Sequence, residues 1–106
     1  MRLLFDQGTP APLRAHLTNH EVSTVFELGW SALSNGELLT RAEAAGYVGL
    51  VTTDQNLKYQ QNLPSRRIAI AVLLTTSWPR IELHAAAVAA ELDKLVVGGY
   101  VEIAIP

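Results

Sequence analysis

Two aspartates follow apolar segments of the chain, and this placement suggests a shared site. Asp6 comes directly after the apolar residues 3–5, and Asp54 follows the apolar residues 48–52. Continuous apolar runs of this length are typical of strands that are covered on both faces. In parallel sheets, ligands bind beyond the carboxyl ends of the strands. The sequence therefore predicts that Asp6 and Asp54 lie at one ligand-binding edge of a parallel sheet.

Carboxylates gathered at such an edge favour a hard divalent cation, Mg²⁺ or Mn²⁺, because these ions take oxygen ligands. The chain has no cysteine, so no thiolate ligand competes. The three histidines, at positions 16, 20 and 84, lack the spacing of a ligand pair, and we expect them on the surface or on helix flanks. Asp6 and Asp54 also have a simpler interpretation, since each can cap the turn or helix that follows it.

Glu37 is the third candidate carboxylate. It follows Ser34 by three residues, which is the spacing of a capping box, where the serine hydroxyl and the glutamate carboxylate bind backbone amides at a helix start. Glu37 is therefore predicted either to cap this helix or to face a cleft and bind the metal.

Strand and helix patterns alternate along the chain. The predicted strands are residues 3–5, 22–26, 48–52, 68–74 and 100–105, the last at the sheet edge. The predicted helices are residues 10–19, residues 35–45 and a long helix that begins at Ser77. Strands separated by helices, with apolar interiors, predict a three-layer α/β/α fold with a mostly parallel central sheet of about five strands.

The composition predicts one folded domain over residues 1–106. Hydrophobic residues make up 49% of the chain and charged residues 17%, which is far from the signature of disorder. The apolar runs are shorter than the roughly 20 residues of a membrane helix, and no signal peptide is evident. We therefore expect a cytoplasmic protein without a membrane partner.

One local basic segment stands out, because the net charge of -2 gives no overall attraction to nucleic acid. Residues 55–67 contain no acid, and their Lys58, Arg66 and Arg67 are candidates for RNA backbone contacts, with Tyr59 stacking on a base. The alternative interpretation is an ordinary solvated loop. Self-association as a homodimer is also predicted, since Trp30, Trp78 and an edge strand are available for contacts.

Three segments carry a family resemblance: LLFDQGTP, LSNGELLTRAEAAGY and LVTTDQNLKYQQNL, which occur in this order over about residues 1–75. They resemble bacterial PIN-like proteins long catalogued as a domain of unknown function, relatives of the VapC-type toxin nucleases. The resemblance implies three acids that hold Mg²⁺ or Mn²⁺, a ribonuclease activity, and a small antitoxin-like protein as partner.

The resemblance also assigns the site residues. Asp6 and Asp54 match the first and last acids, while Asn35 stands where relatives commonly carry the middle acid, so that Glu37 is the nearest carboxylate. Asn56 stands where nuclease relatives carry a further acid. The secondary candidates are Asn35, Thr53 and Asn56.

Two other functions share features with the nuclease. A catalytically silent PIN-like module that binds a small protein would have the same fold. A receiver-type phosphoacceptor domain also has aspartates after its first and third strands, but here the first strand supplies one acid instead of a pair, and no lysine follows the last strand.

Overall fold

Five short strands form the centre of the fold in the computed structural model, which describes residues 1–106. The strands are β1 (Arg2–Phe5), β2 (Glu21–Thr24), β3 (Gly49–Thr52), β4 (Ala69–Leu73) and β5 (Tyr100–Ile103). The helices are α1 (Asn35–Ala44), α2 (Leu57–Gln60), α3 (Trp78–Leu83) and α4 (Ala85–Asp93). Two 3₁₀ segments span Ala11–His16 and Leu63–Ser65.

The strands pair in the order β2-β1-β3-β4-β5, and every pair is parallel. Parallel pairing requires crossover connections, which cover both faces of the sheet. The predicted three-layer α/β/α fold is therefore confirmed, and the predicted position of the last strand at the edge is also correct.

Each face of the sheet has its own hydrophobic core. Alternate residues of one strand point to opposite faces, so Leu3 and Phe5 belong to one core while Leu4 belongs to the other. The first core also contains Leu13 of the first 3₁₀ segment and buried residues of α3 and α4. The second core lies under α1 and α2. None of the helices is long and apolar enough to cross a membrane.

The start and end of α1 follow the predicted local rules. The Ser34 hydroxyl accepts a bond from the Glu37 amide, and the Glu37 side chain accepts one from the Ser34 amide, which confirms the capping box. The helix ends before Gly46, whose φ of +86° lies in the left-handed region that favours glycine.

Three predicted elements differ from the structure. Residues 10–19 form a 3₁₀ segment over Ala11–His16 instead of an α-helix, in keeping with the use of 3₁₀ turns as short connectors. Strand β2 ends at Thr24, and Phe26 lies in the turn beyond it. The long helix is divided at His84, whose ψ of +21° departs from helical geometry. Both halves still bury one stripe, formed by Ile81, Ala85, Val88 and Leu92.

His20 and the two tryptophans make contacts within the molecule, and the tryptophans were predicted to pack against the core or against a partner. His20, expected on the surface or on a helix flank, has a side chain that is 4% exposed, and its Nε2 atom lies 2.5 Å from Asp93. Trp30 packs edge-on against Tyr47, and Trp78 packs against the first core. Both tryptophans are thus engaged inside the chain, and the homodimer remains a prediction.

Candidate functional site

The carboxyl ends of β1 and β3 lie side by side and form the edge that carries the candidate site. Phe5 pairs with Val51 in the register of these strands, so the next residues, Asp6 and Thr52, are also neighbours. After β1 the chain crosses one face of the sheet toward β2, and after β3 it crosses the other face toward β4. This reversal is a topological switch point, where α/β proteins bind ligands in a crevice.

The hydroxyl of Thr52 joins the two aspartates. Its Oγ1 donates to Asp6 Oδ2 over 2.9 Å and accepts from the backbone amide of Asp54 over 3.0 Å. Thr52 is completely buried, so its polar atom has no water to bind and depends on these two partners. The structure therefore holds the Asp6 carboxylate and the Asp54 backbone on either side of one buried hydroxyl.

Sequence reasoning missed Thr52 as part of the site. A signal for it exists, because a threonine at the end of an otherwise apolar buried strand must place its hydroxyl against a partner. The nearest polar partners lie in the residues that follow β3 and in the residues that follow its neighbour β1. The partner itself could not be identified before the register of β1 and β3 was known.

Both aspartates also bind the backbone that follows them. Asp6 Oδ1 accepts from the Gln7 amide at 2.8 Å, and Asp54 Oδ1 accepts from the Asn56 amide at 2.9 Å. The simpler interpretation, that each aspartate caps its turn, is thus also correct. A carboxylate has about four lone-pair positions on its two oxygens, so these bonds leave acceptor capacity on both side chains for a cation.

The loops after β1 and β3 pack tightly against each other. Thr9 is buried, and its hydroxyl donates to the Val51 carbonyl over 2.8 Å. A Cβ atom on Gly8 would lie 2.5 Å from Thr53 Oγ1, so glycine permits this close approach. Thr53, a secondary candidate, therefore lies against the loop that carries Asp6, and the two loops hold one arrangement.

Glu37 is committed to the start of α1. Its Oε1 accepts from the Ser34 amide at 3.2 Å and from the Ser34 hydroxyl at 2.8 Å, while Oε2 has no such bond. These hydrogen bonds from Ser34 lower the pKa of Glu37.

The remaining secondary candidates are Asn35 and Asn56. The first links the start of α1 to α2, and the second links the turn that contains Asp54 to α2. The Asn35 side chain donates to the Gln60 side chain over 2.9 Å, which places the start of α1 beside α2. Asn56 is exposed and binds the Asp54 carboxylate through its backbone amide. No three side chains among the histidines, aspartates and glutamates come close enough together to hold one metal ion.

The two arginines of the basic segment lie near the amino end of β4, at the opposite end of the strands from Asp6 and Asp54. Arg66 and Arg67 immediately precede the start of β4, whereas the two aspartates follow the ends of parallel strands. Arg66 pairs with Glu43 at 3.0 Å, and Glu43 also accepts from the Arg67 amide at 2.7 Å. Arg66 also donates to the Gly36 carbonyl at the start of α1 over 3.3 Å, and neither arginine is bonded to Asp6 or Asp54.

Lys58 is also paired within the chain. Its ammonium lies 2.8 Å from Glu102, which also accepts a bond from the Tyr100 hydroxyl. The bond to Glu102 raises the pKa of Lys58, while the bond from Lys58 lowers the pKa of Glu102. Burial and the bond to Glu102 raise the pKa of Tyr100 to about 12. Tyr59 is 77% exposed, with the Lys58 ammonium 5.2 Å from its ring centre.

Comparison of the chain with protein-family models, with curated proteins and with solved structures finds no match. The PIN-like resemblance therefore remains a prediction from the sequence. The geometry of the β1–β3 edge carries the functional interpretation.

The first prediction concerns Thr52. Replacing it in Thr52→Val should lower the free energy of unfolding by about 1–3 kcal/mol, because the Asp54 amide and the Asp6 carboxylate each lose a buried partner. Thr52→Ser should restore most of this loss, since it keeps the hydroxyl. Urea denaturation measures both values. The exposed Thr76 supplies the control, and an equal loss in Thr76→Val would contradict the assigned role of Thr52.

The second prediction concerns Glu43 and pH. Burial raises the pKa of Glu43, but bonds from Arg66 and from the amides of Arg67 and Ile68 outweigh it, so that the pKa is lowered. A lowered folded-state pKa stabilises the protein above the unfolded-state value of about 4.3, and this contribution is lost as the pH falls.

Urea denaturation from pH 7 to about pH 3 tests this, since Glu43→Gln should flatten the decline in stability below about pH 5. The exposed Glu82, which makes no ion pair, is the matched control. The prediction is contradicted if the decline in stability with falling pH is unchanged in Glu43→Gln while it is flattened in Glu82→Gln.

Proposed function

We propose that the protein is a Mg²⁺- or Mn²⁺-dependent ribonuclease of the PIN-like class. One observation carries this proposal: Asp6 and Asp54 are joined through the buried Thr52 hydroxyl at a switch point of the sheet. Two carboxylates held at the place where α/β folds bind ligands suit metal-assisted hydrolysis of a phosphodiester.

The donor set fits such an ion. Mg²⁺ in enzymes is usually held by one or two carboxylates, keeps several water ligands, and also binds substrate phosphate. Asp6 and Asp54 supply two carboxylates with unused acceptor capacity, and Thr52 supplies a neutral group that holds them in place. All of these groups offer oxygen, the ligand atom that Mg²⁺ and Mn²⁺ prefer.

An ion held by Asp6 and Asp54 would supply a water of lowered pKa and would neutralise charge on the phosphodiester. Asp6 and Asp54 would hold the ion. The Thr52 hydroxyl limits the rotation of the Asp6 side chain through its bond to Oδ2, and it holds the backbone of Asp54, whose carboxylate is bonded to the Asn56 amide. Glu37 keeps one free carboxylate oxygen, Oε2, at the start of α1. Because no three acidic side chains come close enough to hold one ion, Glu37 would take part through a bound water and not as a direct ligand.

A second candidate function is the catalytically silent module that binds a small antitoxin-like protein. The commitment of Glu37 to the capping box favours it, because a carboxylate that caps a helix can be retained for stability alone. In that function Asp6 and Asp54 would keep their structural bonds, and neither metal nor RNA would be required.

The third prediction separates these two functions. Mn²⁺ at 100 times its dissociation constant should stabilise the wild type by about 2.7 kcal/mol and raise its melting temperature by roughly 10–20 °C. Asp6→Asn and Asp54→Asn should abolish this shift, because each removes one charged ligand. The matched control is Glu82→Gln, which changes an exposed carboxylate on α3 and should respond to Mn²⁺ as the wild type does.

Cleavage of single-stranded RNA is then measured with the same proteins. Asp54→Asn should lower the rate by roughly 100-fold or more, while Glu37→Gln reports whether the third carboxylate takes part. Cleavage at the wild-type rate in Asp54→Asn would contradict the proposed site. A wild type that neither binds Mn²⁺ nor cleaves RNA would favour the silent module.

A further inference from the structure

An exposed aromatic ring lies beside the aspartate site. Phe26 is 79% exposed, and together with Asp6, Gln7 and Arg14 it lines a groove of about 340 Å³ at the carboxyl edge of β1 and β2. This volume lies at the lower end of the range for small-molecule sites, about 300–1,000 Å³. The only other hydrophobic residue in the lining is Ala11, so Phe26 is the one large apolar surface that the groove offers.

The turn that carries Phe26 is held on both sides. The Val25 amide donates to the Phe5 carbonyl, and Val25 is buried beneath the turn. Glu27 accepts a bond from the Thr24 amide and forms a two-pronged ion pair with Arg14, at 2.9 and 3.1 Å. The backbone of Phe26 therefore stays in one place, so that only the side-chain rotation of the ring is lost when a ligand covers it.

The charges of the groove select the part of a ligand that enters it. Asp6 and Glu27 contribute two carboxylates and Arg14 one guanidinium, and the guanidinium is already paired with Glu27. An excess of negative charge repels phosphate but accepts a neutral base, whose amino groups can donate to carboxylate or amide oxygens. The side-chain amide of Gln7 adds a further donor and acceptor at the rim.

Phe26 is better placed for stacking than Tyr59. Tyr59 has comparable exposure, but the Lys58 ammonium lies over its ring at 5.2 Å. No aromatic ring or cation stacks on Phe26. Phe26 also shares its groove with Asp6, whereas Tyr59 is carried by α2.

We infer that this groove binds one unpaired base of single-stranded RNA, which stacks on Phe26, while the adjoining phosphodiester lies outside the groove, next to the ion proposed at Asp6 and Asp54. The inference rests on the proposed ribonuclease function and adds a substrate-binding residue to it. Stacking requires an open face of the base, which single strands offer and duplexes do not. Because stacking tolerates every base, Phe26 contributes affinity and positioning without strong sequence preference.

The test measures binding separately from cleavage. Fluorescence anisotropy of a labelled single-stranded oligoadenylate, in buffer with EDTA, gives the dissociation constants of the wild type and its variants. Phe26→Ala should weaken binding by about 5- to 100-fold, and Phe26→Trp should retain or tighten it. Both should fold normally, because the ring buries little surface. The matched control is Leu83→Ala, which removes an equally exposed apolar side chain from α3 and should bind as the wild type does.

The outcomes distinguish this inference from the proposed function. If the wild type cleaves RNA and Phe26→Ala binds and cleaves as the wild type does, the inference is wrong and the ribonuclease function stands. If RNA binding depends on Phe26 but no metal supports cleavage, the ribonuclease function is wrong and the base-binding groove stands. A wild type without affinity for the oligonucleotide would overturn the inference, and so would an equal loss in Leu83→Ala.

Discussion

The pairing of β1 with β3 is the constraint on which the site depends. Both strands are covered on both faces, so a polar group at their ends must find its partners inside the protein. Thr52 is such a group, and the nearest available partners are the Asp6 carboxylate and the Asp54 amide. The buried hydroxyl thus links the carboxylate of Asp6 to the backbone of Asp54, 48 positions away in the sequence.

Features that depend on local chemistry could be predicted from the sequence. Apolar runs identified the buried strands, and the Ser34–Glu37 spacing identified the start of α1 to the residue. The meeting of Asp6 and Asp54 was also predictable, because parallel strands bring their carboxyl ends to one edge. In each of these cases a short stretch of sequence, or the parallel nature of the sheet, contains the whole physical cause.

Features that depend on the crossovers could not be predicted. The segment that ends with Arg66 and Arg67 begins at the carboxyl end of β3, beside the site, but continues to the amino end of β4. Its charges therefore do not form one surface. Phe26 continued the alternation of a strand in the sequence, yet the bonds of Glu27 to Thr24 and Arg14 turn the chain there and expose the ring. The bond to Arg14 joins separate elements, and the local pattern carries no information about it. The bonds between Thr24 and Glu27 are local, and their three-residue spacing is the capping-box signal that sequence reasoning missed here.

The two aspartates serve stability and, in our proposal, chemistry with the same carboxylates. Each spends part of its acceptor capacity on the following backbone and keeps the rest for a ligand. The structural bonds hold the carboxylates in place before any ion arrives, which reduces the cost of binding it. A substitution that kept these bonds but removed the charge would separate the two roles.

The most direct measurement is the anomalous difference density of a crystal soaked in Mn²⁺. The account predicts one peak at the carboxyl ends of β1 and β3, within coordination distance of an oxygen of Asp6 and of an oxygen of Asp54; for Mg²⁺ this distance is about 2.0–2.1 Å. No peak at this edge at saturating Mn²⁺, or a peak that contacts neither carboxylate, would contradict it.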